Sequence, residues 1–132
     1  MNVYLICSAV LVILYFLLAL NVSLTRGRMK MGIGSGDDPS GPLNKAVRAH
    51  GNAAEFIPLF VALFLYFLLS GAGGWITWVV IGVTISRVLH ALGMLMTPSF
   101  SRPPHPLRAI GALGTYIGGV ALGVALLLRA LL

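Results

Sequence analysis

Apolar positions in this chain fall into four long runs, at 3–24, 53–70, 75–96 and 107–132, separated by short polar stretches. The second has a polar lead-in from about residue 45, which places its span at about 47–70. As helices rising 1.5 Å per residue these runs cover about 27 to 39 Å, against a hydrocarbon core of about 30 Å. None alternates with period two, which argues against a β-barrel. The pattern predicts an all-α membrane protein, a four-transmembrane-helix bundle forming one domain over 1–132. The opening "MNVYLICSAVLVILYFLLALNV" has no basic lead and too long an apolar run for a cleaved leader, so it is expected to stay as a helix. "SGAGG" at 70–74 leaves room only for a tight helical hairpin. The Gly- and Pro-rich 25–44 segment is expected to lack regular structure. Its "GIGSG" has no following Lys-Ser/Thr and reads as a flexible turn, not a phosphate loop. Pro58 is expected to bend span two. Gly114 with Gly118, and Gly119 with Gly123, are small-residue pairs suited to close helix packing.

Composition agrees with lipid as the solvent. Of 132 residues, 58% are hydrophobic and 9% charged, so a soluble fold could not bury enough apolar surface. The net charge of +6 does not form a stripe interleaved with aromatics, so no nucleic-acid partner is expected. Instead the cations flank the runs. Arg26, Arg28, Lys30, Lys45 and Arg48 follow span one, Arg102 and Arg108 follow span three, and Arg129 alone stands at the other end. By the positive-inside tendency the N-terminus and the 70–74 hairpin face outward and the basic loops face the cytoplasm. Trp75 and Trp78 then fall in the outer aromatic belt. The single cysteine, Cys7, reads as a small buried hydrophobe.

The candidate chemistry lies where polar residues enter apolar runs. Arg48, Asn52 and Glu55 stand at i, i+4 and i+7, on one helical face. His50 falls on another face nearer the loop, where a capping role is its simplest use. In span three Arg87 and His90 stand at i and i+3, with Met94 one turn on. Arg87 is about 14 Å inward from residue 96, too deep for a flank residue. Arg108 sits in the first turn of span four, after Pro106. Each has a structural alternative. Arg48 and Arg108 could anchor at headgroups, Asn52 could join helices, Glu55 and Arg87 could form an ion pair, and His90 could be a satisfied core histidine. His105, between prolines, is expected to be solvated. The histidines lack carboxylate or thiolate partners at ligand spacing, so no metal is expected. Together the groups suit a ligand with several anionic groups and one cationic group: an amino acid or small peptide.

"RAHGNAAEFIPLF" (48–60) followed by "RVLHALG" (87–93) resembles the MAPEG family, membrane-associated proteins of eicosanoid and glutathione metabolism. The likeness is greatest to the prostaglandin E synthase and microsomal glutathione transferase branches. "GIGSGDDPSGPLNKAVRAHGN" is similar to the lead-in of bacterial members, and the resemblance runs from about residue 26 to 116. It implies a homotrimer in a bacterial inner membrane, with glutathione as thiol co-substrate bound between subunits on the cytoplasmic side. Arg48, Asn52 and Glu55 would hold the peptide, with His50 of the same motif and with Arg87 and His90. Arg108 best matches the thiol-activating arginine, with Arg102 next, and Arg26 or Arg28 matches a basic ligand contact at the end of span one. Two departures stand out: Met94 where a tyrosine is frequent, and Ala109 where the prostaglandin branch has serine. The implied activity is transfer of glutathione to hydrophobic electrophiles arriving from the lipid, or reduction of lipid peroxides. The electrophile is left open, as is the choice between glutathione and another small thiol. The rival readings are a non-catalytic lipid-binding member of the family and a small proton-coupled exporter with Glu55 as carrier.

Overall fold

A computed structural model describes residues 2–99 and 103–131; Arg102, the second candidate for thiol activation, lies outside the described residues. The chain forms four helices: α1 (Val3–Met29), α2 (Pro42–Leu69), α3 (Trp75–Met96) and α4 (Pro106–Leu131). Each is long and apolar enough to cross a membrane, and no strand occurs among the described residues. Side chains such as Phe16, Leu17, Ile117 and Val120 stand exposed on the outside of the bundle. Such a surface requires a hydrocarbon environment.

Two helices run further than the hydropathy pattern suggests. α1 is capped by Asn2, whose side chain accepts from the Leu5 N–H at 3.3 Å, and continues past residue 24 to Met29. It stops at Lys30, in a left-handed conformation (φ 54°), whose N–H returns to helix carbonyls. α2 starts at Pro42 in its first turn, where a missing N–H costs nothing. Hydropathy marks hydrocarbon, whereas Arg, Lys and Asn continue a helix into the headgroup region. Irregular backbone is therefore shorter than the expected 25–44, and His50 lies well inside α2, not at its cap. Pro58 is accommodated within α2, which continues to Leu69. The 70–74 hairpin is as tight as expected. Gly71 and Gly74 turn it at φ 66° and 62°, values natural only to glycine.

The extensive pairings are α3 with α4 and α1 with α2, and both α1 and α2 also touch α3. Leu11, Phe60, Phe64, Phe67, Val80 and Val83 form the core between them. The α3–α4 seam is made by small residues. A Cβ at Gly93 would fall under 3.0 Å from the backbone of Arg108, and one at Gly111 would do the same at His90. Gly114 and Gly118 continue the stripe against Ser86 and Val83. Gly119 and Gly123 do not share in it. A Cβ at Gly119 would make only ordinary contact with Phe60, at 3.6 Å, and Gly123 faces open space. Helical geometry explains the split, because residues 111, 114 and 118 share a face that 119 and 123 leave.

The hairpin end is tied twice. The Tyr4 hydroxyl donates to Ala72 O at 2.9 Å and lies 3.1 Å from Thr77 Oγ1. Arg129 donates to Ser70 O at 3.2 Å and to its Oγ at 2.6 Å. Arg129 is therefore a tie between α4 and the hairpin.

The seam makes a direct prediction. Gly111→Ala overpacks a backbone contact and should destabilise the bundle by about 1–3 kcal/mol, whereas Gly123→Ala should leave it unchanged or slightly more stable. Thermal unfolding in detergent distinguishes them, and equal melting temperatures would disprove the seam.

Candidate functional site

With α4 held against α3 and α2 held against α1, a groove opens between α2 and α4 and is floored by α3. It has a volume of about 530 Å³, within the range typical of small-molecule sites. Arg48, Asn52 and Glu55 line it from α2, His90 and Met94 from α3, and Arg108 with Tyr116 from α4. A smaller recess continues it past Arg48, Met94 and Arg108 to Asn44 and Pro39. Asn44 is held there by donating to Pro39 O.

The floor is rigid for identifiable reasons. The bare Cα of Gly93 admits the backbone of Arg108. His90 Nδ1 lies 3.0 Å from Arg108 O, and since a carbonyl only accepts, Nδ1 carries the proton. In neutral His90 the other nitrogen, Nε2, is then the acceptor. The main chain of Arg108 is thus located by two α3 residues, while its half-buried side chain lines the groove.

Arg87 plays a different part from the other arginines. It is 2% exposed and is absent from the groove wall. Its Nη2 donates to Asn52 Oδ1 at 2.8 Å and to Asn52 O at 3.3 Å, and its guanidinium lies 4.9 Å from the Phe56 ring centroid. Its Nε is buried with no partner among the described residues. Arg87, expected among the ligand-binding residues, thus stands behind the groove with its hydrogen bonds on Asn52 and feels the charge of Glu55 without a direct ion pair among the described residues. Because Arg87 occupies the Asn52 carbonyl oxygen, the amide NH₂ of Asn52 is left as the donor for a ligand. The buried guanidinium also adds positive potential behind the groove.

Glu55 is exposed on the groove wall, close enough for its charge to act on Arg87. Arg48, also exposed, stands two turns away on the same face, about 10 Å by helical rise. The groove therefore has cations at its loop end and a carboxylate deeper in.

His50 and Arg26 are not brought to the groove within one chain. The His50 ring packs on Tyr15 of α1, with centroids 5.0 Å apart, and its Nδ1 is buried without a partner among the described residues. Arg26 donates to Gly34 O at 3.3 Å, across the loop that follows α1. His105, half-buried, accepts from the Leu107 N–H at 3.3 Å and so caps the start of α4, where solvation was expected. Among the groove residues that escaped the sequence reading, Tyr116 is the one with a polar group. Tyr116 stands at i+8 from Arg108, on the same helical face, and its ring lies 6.2 Å from that of Phe56. The 108–112–116 spacing was the available signal.

A four-helix membrane bundle with an arginine-, amide- and carboxylate-lined groove at one end defines the class of protein. The chain belongs to the MAPEG family, whose family model matches residues 4–128. It is similar to the inner membrane protein YecN of Escherichia coli strain K12, with 34% identity over 89 residues, 65% of this chain and 68% of the relative. The YecN protein of Escherichia coli O6:H1 strain CFT073 matches with the same identity and coverage. No solved structure matches significantly.

The Arg87–Asn52 contact can be checked by a double-mutant cycle. Arg87→Met and Asn52→Ala should couple by about 1.5–3 kcal/mol in detergent stability. Arg48→Ala and Asn52→Ala should be additive, and additivity in the first pair would contradict the buried hydrogen bonds.

Proposed function

We propose that this protein is a membrane-embedded glutathione-dependent transferase or peroxidase, working as a homotrimer in a bacterial inner membrane. The observation that carries the reading is the convergence of Arg48, Asn52, Glu55, His90 and Arg108 on one groove. Family membership supports it, and the inner-membrane naming of the YecN relatives supports the location. In this reading the groove's basic end faces the cytoplasm, and Arg26 reaches the ligand of a neighbouring subunit.

Glutathione has two carboxylates, an ammonium and a thiol. Arg48 and the Asn52 amide suit the carboxylates, and Glu55 suits the ammonium. Arg108 stabilises the thiolate. Lowering a thiol from about 8.5 to about 6.5 requires about 2.7 kcal/mol, the order of one charge-assisted hydrogen bond. In transfer, the thiolate sulfur forms a bond to an electrophilic carbon as the leaving group departs with its electron pair. In peroxide reduction, the sulfur takes the terminal oxygen and releases an alkoxide, which is protonated to the alcohol. A second glutathione then converts the sulfenic acid to disulfide and water. Ala109, Ala112 and Tyr116 line the α4 side, where an apolar co-substrate enters from the lipid.

Glu55→Gln should weaken S-hexylglutathione binding by about ten- to a hundredfold without altering assembly. Loss of assembly with unchanged affinity would make Glu55 structural, and loss of proton-coupled export in vesicles with intact binding would favour an exporter. Arg108→Ala should leave binding of that S-alkyl ligand nearly unchanged, raise the bound glutathione thiol toward about 8.5 and slow turnover, with partial recovery at alkaline pH. Arg48→Ala should weaken the S-alkyl ligand and leave the thiol pKa as in the wild type. Ultraviolet thiolate absorbance reads both, and an unchanged thiol pKa in Arg108→Ala removes Arg108 from this role.

A further inference from the structure

A second polar recess opens at the same end of the bundle, where α1, the start of α2 and the end of α3 meet. Asn21, Thr25 and Arg28 line it from α1, Ser40 and Lys45 from the α2 side, and Leu95 from α3, around a volume of about 370 Å³. It shares no lining residue with the α2–α4 groove. Its polar lining holds two cations and three neutral groups, with no carboxylate. The adjacent acid, Asp38, accepts from the Ser40 N–H at 2.8 Å. Lys45 donates to Pro98 O at 3.2 Å and keeps two further N–H bonds for a ligand. Ser40 is itself bonded to Ser99, at 3.1 Å. Arg28 is exposed at the rim.

The recess has an apolar continuation. Asn21, Thr25 and Arg28 lie on one face of α1, and about five turns earlier that face presents Cys7 and Val10. These line an apolar hollow of about 470 Å³ between α1 and α3, together with Ile85 and Val88. The two helices run parallel, since Tyr4 meets Thr77 at one end and Thr25 shares a recess with Leu95 at the other. Val88 is two turns from Leu95, about 10 Å. The near edge of the hollow on α3 therefore lies within the reach of an acyl chain, which spans about 15 Å in half a hydrocarbon core, whereas its α1 lining lies deeper.

We propose that the α1–α3 seam binds an anionic phospholipid of the surrounding bilayer, with its phosphate at Arg28 and Lys45 and one acyl chain running along α3 to Val88, at the near edge of the apolar hollow. Basic pockets between transmembrane helices recognise anionic headgroups in this way. A soluble phosphate would use only the upper half of the site and a neutral lipid only the lower. Their alignment on one face of α1 selects a molecule with both parts. The inference uses no residue of the α2–α4 groove, and it leaves the span-one glutathione contact to Arg26.

Native mass spectrometry of the detergent-purified protein tests it with dioleoyl phosphatidylglycerol, dioleoyl phosphatidylcholine and inorganic phosphate. Phosphatidylglycerol should stay bound at activation energies that strip phosphatidylcholine, and inorganic phosphate should not displace it. Arg28→Gln and Lys45→Gln should each weaken phosphatidylglycerol about fivefold, and the double variant about thirtyfold. Val88→Trp, which narrows the seam, should weaken the dioleoyl lipid and spare dihexanoyl phosphatidylglycerol. Circular dichroism confirms that each variant is folded. Wild-type retention by the folded double variant overturns the proposal, as does equal retention of the two headgroups. Displacement by inorganic phosphate would make the recess a soluble-anion site, and an unaffected Val88→Trp would remove the acyl chain from the seam.

Discussion

The backbone contact between α3 and α4 governs the shape of the molecule. Gly93, Gly111, Gly114 and Gly118 let the two helices approach more closely than any Cβ would allow. In lipid there is little hydrophobic gain from pressing helices together, so close packing of small residues is the main attraction available. Drawing α4 onto α3 holds it away from α2, which is held by α1. The groove is the space left between these two pairs. Its catalytic candidate depends on the same contact, because the main chain of Arg108 lies against Gly93 and is bonded to His90.

Behind the groove, a buried guanidinium takes the place of a conventional ion pair. Arg87 is buried against the Phe56 ring, and its hydrogen bonds go to a neutral amide and a helix carbonyl. Such an arrangement leaves its charge unneutralised by direct contact, which favours an anion nearby. Asn52 in turn has its orientation fixed by the same bonds. Glu55, the one acidic residue in the described helices, lines the groove in front of this buried charge.

Charge is distributed unequally between the two ends. At the hairpin end Arg129 is tied, like Tyr4, by hydrogen bonds to neutral groups of the turn. At the loop end Arg48 and Arg108 line one recess, between α2 and α4, and Arg28 and Lys45 line another, between α1 and α3. Helix extension makes this possible. α1 carries Arg26 and Arg28 beyond its apolar run, and α2 begins early enough to hold Lys45 and Arg48 in regular structure.

Four spans, the tight hairpin and the polar face of α2 were legible in the sequence because each depends on local periodicity. Run length reports the membrane, and i, i+4, i+7 spacing reports a helical face wherever the helix sits. Arg48, Asn52, Glu55, His90 and Arg108 could therefore be named from spacing and resemblance. Which of two neighbouring polar residues faces a groove depends on how helices rotate against one another, and one helix's periodicity does not contain that. Tertiary packing put Arg87 behind Asn52, turned His50 onto Tyr15 and brought Tyr116 to the wall. It did so through contacts between residues far apart in the chain, whose choice of partner follows from shape and close approach, not from hydropathy.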